Sequence, residues 1–425
     1  MDIPAESNAA TPRPRFNLSE IKTEVLAGLT VSFAMVPEVV AFAFVAGVNP
    51  LAGLYAAFIV GLLTAIFGGR PGMISGAAGS LAVVCTALVA QRGVEYLFAA
   101  VFLMGCIQAL AGLFKWGKFI RMVPHPVMLG FVNGLAIVIF RAQLSHLKTK
   151  DATGILHWVL NSQLFIMLGL IAATMAITYI LPRFSKAIPS SLAAIIVVTI
   201  AVQVFKIETH TVGDLAQIKG GLPSFHIPAV PFNLDTLNII LPYAFILAAV
   251  GLTESLLTMT LIDDMTQTPS DGDRECVGQG IANIAAGMIG GMGGCAMIGQ
   301  SMINISSGGR RRLSGIAEAL SLLAFILFAS KLIESVPMAA LIGVMFVVVI
   351  ETFAWSSLRI LNKIPRADAF VLILVSLVTV FTNLATAVVV GVILSALKFA
   401  WEHAGSLSAR RFIHDDGHAV YELHG

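Results

Sequence analysis

Long apolar stretches alternate with short polar segments along almost the whole of this 425-residue chain. A helix needs roughly 17 to 25 mostly apolar residues to cross a bilayer, and most of these stretches are that long. The pattern predicts seven membrane spans in the first half, at 24–46, 50–68, 76–91 (short), 94–114, 123–141, 163–182 and 187–205. It predicts seven more in the second half, at 239–262, 274–291, 295–305 (short), 314–330, 335–354, 367–382 and 384–402.

The longest polar interruption, residues 206–237, separates these two sets of spans. An odd number of spans on each side makes the two halves cross the membrane in opposite directions, which is the inverted repeat of many transporters. The pattern therefore predicts an all-α polytopic membrane protein with 14 transmembrane segments in a 7+7 inverted repeat.

Composition and charge agree with this interpretation. Hydrophobic residues make up 57% of the chain and charged residues 12%, so the apolar surface is too large for one water-soluble core. If both termini are cytosolic, 19 of the 26 Lys and Arg residues fall in inner loops, as the positive-inside rule favours. The polar N-terminus lacks the apolar core of a signal peptide, and a net charge of +2 does not indicate nucleic acid as a partner. We expect a multi-pass protein of the plasma membrane, which in a bacterium is the inner membrane.

Two glycine-rich breaks interrupt the apolar pattern, "GMISGAAGS" (72–80) and "GGMGGCAMIGQ" (290–300), about 50 and about 55 residues after their halves begin. Breaks at matching positions point to a binding site at the membrane midplane. Half-helices that start there direct free N–H groups and positive dipole ends toward each other, which forms an anion site without a fixed cation. Alternatively, the glycines only allow close helix packing, as at Gly287 and Gly291. Four side chains would add neutral hydrogen-bond donors to such a pocket: Ser75, Ser80, Gln300 and Ser301.

Two acidic residues lie inside apolar stretches, where a carboxylate must be paired, protonated or bound to a cation. Glu254 precedes Thr258 by four residues, so both lie on one helix face, and their oxygens suit a hard cation or a transferable proton. The alternative for Glu254 is a structural acid at the N-terminus of a half-helix. Glu38 follows Pro37, which interrupts backbone hydrogen bonding in the first span, and both a functional and a structural role are open for it.

The remaining polar residues in or near the spans are weaker candidates for the functional site. Glu351 ends a span and Asp368 begins one, so we expect both at the membrane interface. His125 stands between two prolines and is expected in a turn. The four cysteines form no CxxC pair and are expected to be packing thiols. The sequence shows no metal-ligand cluster and no nucleophile triad.

Four stretches together resemble the sulfate permease (SulP) family, whose animal members form solute carrier family 26. They are "VPEVVAFAFVAGVNPLAGLYAAF" (36–58), "ISGAAGSLAVV" (74–84), "DRECVGQGIANIAAGMIGGMGG" (273–294) and "GQSMINISSGGRRRLSG" (299–315). The resemblance covers about residues 20–403. It implies the fold of uracil permeases, in which a core domain moves against a gate domain. The third and tenth spans are then half-helices that hold the anion between them.

Carried onto this chain, the resemblance implies seven segments. They are a cytosolic N-terminal segment (1–23), the core and gate domains of the first repeat (24–118 and 119–206), an extracytoplasmic linker (207–237), the core and gate domains of the second repeat (238–332 and 333–403) and a cytosolic tail (404–425). The end of the tail, "HAVYELHG" (418–425), alternates like a strand. We interpret it as the start of a truncated STAS domain, the family's cytosolic C-terminal domain. Because members commonly dimerise, a homodimer is also expected.

The family's anion site, carried over in the same way, comprises Glu38, Phe42, Ala78, Gly79, Ser80, Glu254, Gly299, Gln300 and Ser301. Sodium-coupled bicarbonate members bind the cation through a carboxylate and a threonine of the eighth span, where this chain has Glu254 and Thr258. Many members have Arg in place of Gln300 and Gln in place of Glu38. This pocket would therefore be net negative until an acid is protonated or a cation enters, which favours uptake coupled to H+ or Na+ over simple exchange. No cofactor beyond such an ion is implied.

The sequence thus favours secondary active transport of a small inorganic anion of the sulfate or bicarbonate class. A dicarboxylate or nucleobase symporter on the same fold is an alternative, since Glu254 would then bind an organic substrate. An anion channel, an exchanger or a voltage-responsive motor-like protein is a further alternative. An enzyme is the least favoured class.

Overall fold

Helices form near each predicted span that the structure describes. The computed structural model describes residues 18–117, 125–145, 147–150, 156–158, 162–184, 190–215, 220–361, 363–381, 390, 393–394, 397, 408–413 and 419–424. The first half contains α1 (Leu18–Ala46), α2 (Pro50–Phe67), α3 (Gly79–Arg92), α4 (Val94–Leu113), α5 (His125–Ser145), α6 (Ser162–Phe184), α7 (Ser190–Val204) and α8 (Val212–Leu215). The second half contains α9 (Leu234–Thr266), α10 (Gly272–Gly287), α11 (Ile298–Ser306), α12 (Arg312–Phe328), α13 (Ser330–Glu334), α14 (Met338–Thr352), α15 (Trp355–Ile360) and α16 (Arg366–Phe381).

Several sequence predictions fall outside the described residues. They include nearly all of the last predicted span, 384–402, and residues 1–17 of the N-terminal segment. The side chain of His125, expected in a turn, is also outside them, although its backbone begins α5.

The described residues are mostly helical, and six short strands accompany the helices. They are β1 (Ser75–Gly76), β2 (Lys148–Lys150), β3 (Leu156–Trp158), β4 (Cys295–Ala296), β5 (Ser408–Ile413) and β6 (Ala419–His424). The pairs β1–β4, β2–β3 and β5–β6 are all antiparallel. The alternating pattern at the end of the chain therefore does form a strand, β6.

Six of the described helical segments are long and apolar enough to cross a membrane: Leu18–Ala46, Pro50–Phe67, Val94–Leu113, Gln163–Phe184, Leu234–Thr266 and Met338–Ile360. This finding fits a polytopic membrane fold. By contrast, α3 has 14 residues and α11 has 9. At 1.5 Å per residue these helices are about 21 and 14 Å long, shorter than a hydrocarbon core of about 30 Å. The number of 14 spans and the inverted relation of the halves stay predictions.

Side-chain caps mark the starts of three long helices. Asn49 caps α2 by accepting a hydrogen bond from the backbone N–H of Leu51 at 2.9 Å. Asn233 caps α9 through the N–H of Thr236 at 2.8 Å. Asp271 caps α10 through two backbone N–H groups. Such caps satisfy donors that a helix leaves unpaired at its N-terminus.

The helices pack in two groups. In the first, α4 packs along α10, α1 along α12, and α2 against both α10 and α12. Together with α3, α9 and α11, these helices form what we call the core group (α1–α4 and α9–α12). In the second, α5 packs along α16, and α14 packs against α5, α6 and α7. We call α5–α7, α14 and α16 the gate group. The main contacts between the two groups are made by α1 and α3.

The two glycine-rich breaks meet inside the core group, because β1 of the first break pairs with β4 of the second. Ser75 is opposite Ala296, and Gly76 is opposite Cys295. A Cβ atom on Gly294 would collide with the carbonyl oxygen of Gly76, so this crossing requires glycine. The alternative role for the glycines, helix packing, applies to Gly287, where a Cβ would lie 2.7 Å from a backbone nitrogen of α4.

Buried amides fix the breaks to the helices behind them. The Asn283 amide on α10 bonds both backbone groups of Gly294, accepting from the N–H at 2.8 Å and donating to the carbonyl oxygen at 2.9 Å. Its Nδ2 also donates to Gln108 of α4. Gln279, one turn earlier on α10, donates to the Ser75 hydroxyl at 2.8 Å. A buried polar network with these bonds holds an irregular backbone in one geometry.

The polar connector between the halves contacts both groups. Thr211 forms an isolated β-bridge with Pro337, next to the start of α14 in the gate group. The ring nitrogen Nε2 of His226 lies 2.9 Å from a carboxylate oxygen of Glu95, at the start of α4 in the core group. The connector thus bridges the two groups at the end where α4 and α14 begin.

Candidate functional site

Both short helices begin at the paired breaks without a side-chain cap. α3 begins after the N-cap residue Ala78, α11 begins after Met297, and neither N-cap side chain bonds its helix. This differs from α2, α9 and α10, which Asn or Asp residues cap. The N–H groups of each first turn therefore lack a partner within the helix, and the positive ends of two helix dipoles come together. Such an arrangement suits an anion.

A cavity of about 830 Å³ lies at these helix ends, between the core group and the gate group. Its lining includes eight of the nine residues predicted for the anion site: Glu38, Phe42, Ala78, Gly79, Ser80, Glu254, Gly299 and Gln300. The gate group contributes mainly apolar residues of α5 and α14. The structure thus brings α1, α3, α9 and α11 together around one space.

The cavity extends toward one end of the helices. Its lining includes Val127 and Ser190, near the starts of α5 and α7. It also includes Met265, Ser306 and Thr352, at or next to the ends of α9, α11 and α14. The connector that carries His226 lies at the opposite end of the helices, because it contacts the starts of α4 and α14.

Two glycines at the half-helix starts have different surroundings. A Cβ on Gly79 would lie 2.7 Å from Cε1 of the Phe42 ring, so the ring and the first turn of α3 pack as closely as glycine permits. A Cβ on Gly299 would meet nothing within 4 Å. The first turn of α11 therefore faces open space in the cavity, and an anion can approach its backbone.

Glu38 and Gln300 pair across the cavity wall. The Gln300 side-chain amide donates a hydrogen bond from Nε2 to Oε2 of Glu38. This bond joins α1, where Glu38 follows Pro37, to the first turn of α11. The amide donor that the sequence predicts for the pocket is therefore already used by a carboxylate.

Glu254 lies beside the other half-helix. Its Oε2 accepts hydrogen bonds from the Ser80 hydroxyl and from the Cys295 thiol, the latter at 3.2 Å. Thr258 lies behind it, and its hydroxyl donates to the Glu254 carbonyl oxygen at 2.8 Å. The Ala296 carbonyl oxygen lies 3.5 Å from the same hydroxyl. Glu254 is thus within reach of a substrate, whereas Thr258 is buried outside the cavity lining.

Ser75 and Ser301 hold the breaks rather than face the cavity. The Ser301 hydroxyl accepts a hydrogen bond from the Ile74 N–H at 3.0 Å, and its side chain is fully buried. The Ser75 hydroxyl accepts from Gln279. Of the four neutral donors that the sequence suggests, Ser80 and Gln300 line the cavity, and Ser75 and Ser301 do not.

A third carboxylate, Glu351 of α14, also lines the cavity. Its position at the end of a span predicts an interfacial residue, and its place in the cavity lining was not predicted. The signal is the helical period, because Val344, Val347, Val348 and Glu351 all line the cavity and lie on one face of α14. The cavity wall therefore carries Glu38, Glu254 and Glu351, and none of the described residues that line it is Lys, Arg or His.

The described residues contain no group of three or more His, Cys, Asp or Glu side chains that would hold a metal ion. The cavity thus combines two helix N-termini with separate carboxylates. Chemically, it can bind an anion through backbone N–H groups and a proton or a hard cation through carboxylate oxygens.

A family profile and individual relatives assign this chain to the same protein family. Residues 21–375 match the sequence profile of the sulfate permease family. YbaR of Bacillus subtilis (strain 168), which carries the provisional name of sulfate transporter, is 48% identical over 380 residues, covering 89% of this chain and 77% of YbaR. The bicarbonate transporter BicA of Picosynechococcus sp. is 32% identical over 400 residues, covering 89% of this chain and 70% of BicA.

A solved structure agrees with the sequence comparison. The transmembrane domain of a cyanobacterial bicarbonate transporter BicA superposes with a TM-score of 0.77 at 32% identity. The match covers 88% of this chain and 99% of that domain. The helical architecture described above is therefore that of a polytopic membrane transporter domain.

Proposed function

Because the chain belongs to the sulfate permease family, we propose that it carries a small inorganic anion across the membrane by secondary active transport. The observation that carries this proposal is the pair of uncapped half-helix N-termini at one cavity. Ala78 and Met297 provide no side-chain cap for α3 and α11. The open space beside Gly299 leaves room for an anion to accept the hydrogen bonds that a capping side chain would accept. An anion that accepts hydrogen bonds from both first turns would be held without any cationic side chain.

The anion class follows from the charges of the cavity and from the relatives. The relatives are named as sulfate and bicarbonate transporters. With three carboxylates and no basic side chain among the described lining residues, a monovalent anion meets less repulsion than a divalent one. We therefore place bicarbonate before sulfate as the substrate.

The coupling ion in this proposal is H+ or Na+, held at Glu254. Its carboxylate lies next to the first turn of α3, where Ser80 donates to it, so a positive charge there offsets repulsion of the anion. Thr258 and the Ala296 carbonyl lie directly behind and would supply further oxygens to a cation after a small rearrangement. Glu38, paired with Gln300, is a second candidate for a proton.

Transport would proceed by an elevator-like movement of the core group against the gate group. The positive-inside assignment places the starts of α5 and α7 at the cytosol. A cavity that extends to that end then corresponds to an inward-facing state. Both termini would be cytosolic, in the inner membrane of a bacterium, and a homodimer would be the assembled form.

Uptake by proteoliposomes tests this function. The purified chain is reconstituted, and labelled bicarbonate and labelled sulfate are offered with an imposed Na+ gradient, an imposed pH gradient, or neither. We expect saturable uptake of bicarbonate that requires one gradient and is not reduced by excess uracil or fumarate. Competition by uracil or fumarate would instead support the organic-substrate alternative. Non-saturable flux without a gradient would support a channel, and either result would refute the proposal.

A further inference from the structure

Among the described residues that line the cavity, Glu351 is the ionisable residue contributed by the gate group. It lies one residue before the end of α14, and its side chain is exposed to the cavity. It forms no hydrogen bond or ion pair with the residues that the structure describes. Its carboxylate is therefore not held in a structural role by any described partner.

The surroundings of Glu351 include apolar side chains, a carboxyl group and a phenol. On its own helix, Val344, Val347 and Val348 share its face. Among the elements packed against α14, the charged or titratable groups near it are Glu38 of α1 and Tyr179 of α6. No described lining residue offers a positive charge. The field of this carboxylate therefore acts on any anion that passes the mouth of the cavity.

We propose that Glu351 is a specificity-determining residue, whose charge makes the cavity select small monovalent anions over divalent ones. The inference rests on the proposed function and deepens it. Repulsion by one carboxylate is proportional to the charge of the anion, so a dianion such as sulfate is disfavoured twice as strongly as bicarbonate. The half-helix N-termini attract both anions, and Glu351 supplies the difference between them.

The size of the effect follows from Coulomb's law. If we assume a separation of about 10 Å between the Glu351 carboxylate and the bound anion, and an effective dielectric constant of about 40 for a wet cavity, each unit of anion charge lowers the affinity about fourfold. A monoanion is weakened about fourfold and a dianion about sixteenfold. Removal of the charge should therefore raise the preference for sulfate relative to bicarbonate about fourfold.

Competition in proteoliposomes measures this preference. Uptake of labelled bicarbonate is inhibited with sulfate and, separately, with unlabelled bicarbonate, and the ratio of the two half-inhibiting concentrations is compared between variants. We expect Glu351→Gln to lower the half-inhibiting concentration of sulfate about fourfold relative to that of bicarbonate. Glu351→Asp keeps the charge and should leave the ratio near that of the unmodified chain. An unchanged ratio in Glu351→Gln would overturn the inference.

A charge series at one position guards against misfolding of a single variant. Glu351→Cys is modified in detergent, before reconstitution, with a methanethiosulfonate that adds either a trimethylammonium or a sulfonate group. We expect the positive group to lower the half-inhibiting concentration of sulfate relative to that of bicarbonate. The negative group should restore the ratio measured for the unmodified chain. Equal ratios for the two products would overturn the inference. The unmodified chain, treated with both reagents, controls for its four free cysteines.

The outcomes separate this inference from the proposed function. If the unmodified chain takes up neither labelled anion, the proposed function fails, and the inference fails with it. If uptake is present but the ratio does not follow the charge at Glu351, the inference alone is wrong. A shift in the ratio with intact gradient coupling supports both.

Discussion

Replacement of Glu254 with Gln removes one charge from the cavity with little change in shape. In the structure, Glu254 accepts hydrogen bonds from Ser80 and Cys295. The amide oxygen of Gln can accept at least one of these bonds, so the fold around α9 should persist. If the carboxylate carries the coupling ion, the variant loses the site for that ion. Uptake should then no longer depend on a Na+ or pH gradient.

The magnitude can be worked out from the position of Ser80. This residue belongs to the first turn of α3 and bonds Glu254 directly, so an anion on the same turn lies within about 6 Å of the carboxylate. With an effective dielectric constant of about 40, the two charges repel by about 1.4 kcal/mol. That energy is a factor of about ten in affinity. The variant should bind the anion about tenfold more tightly when no coupling ion is present.

Two measurements check this prediction. Titration calorimetry of the solubilised protein gives the affinity for bicarbonate with and without Na+ and at different pH. Reconstituted uptake gives the dependence on each gradient. Glu95→Gln is a matched control, because Glu95 contacts His226 at the other end of the helices, and its loss should leave coupling unchanged. If Glu254→Gln retains full gradient dependence, Glu254 is not the coupling site.

Three further predictions address the half-helices. Gly79→Ala should destabilise the protein by about 1–3 kcal/mol, because its Cβ would press on the buried ring of Phe42. Gly299→Ala should not destabilise it, because a Cβ there meets nothing within 4 Å. Thermal denaturation of the two solubilised variants measures the difference in stability. Ser301→Ala should leave the buried backbone N–H of Ile74 unpaired and lower the stability by about 1–3 kcal/mol. The KM for the anion should stay the same. An altered KM at unchanged stability would instead place the Ser301 hydroxyl in the pocket. Gln300→Arg should pair with Glu38 and raise sulfate affinity about tenfold, as measured by the concentration dependence of uptake.

The half-helices could be located from the sequence because their signals are local. Glycine-rich segments interrupt apolar stretches at matching places, and α3 and α11 begin within three residues of the predicted starts. The pairing of β1 with β4 was not predictable, since two-residue strands carry no periodic pattern. Their pairing depends on the contact between Gly76 and Gly294, which are more than 200 residues apart in the chain.

The sequence predicts how deep in the membrane a residue lies better than it predicts whether its side chain faces the cavity. Ser80 and Gln300 face the cavity, whereas Ser301 turns into the core to hold the first break. Adjacent helical residues point about 100° apart, so a one-residue step moves a side chain from the site to its support. Glu351 shows the same limit, because hydropathy places it near the end of a span but does not show which way α14 is rotated.

If transport is coupled at Glu254 as proposed, the charge balance of the cavity predicts the order in which the ions would bind. Each helix N-terminus is equivalent to roughly half a positive charge, so the two together offset about one of the three carboxylates when all three are ionised. An anion that enters first adds to a negative site, and the hydrogen bond from Gln300 is already committed to Glu38. A proton or cation that enters first at Glu254 removes the nearest negative charge from the first turn of α3. The anion can then bind to N–H groups that the fold leaves uncapped. In this scheme the site would bind the anion tightly only after the proton or cation is present, so uptake of the anion would depend on that ion.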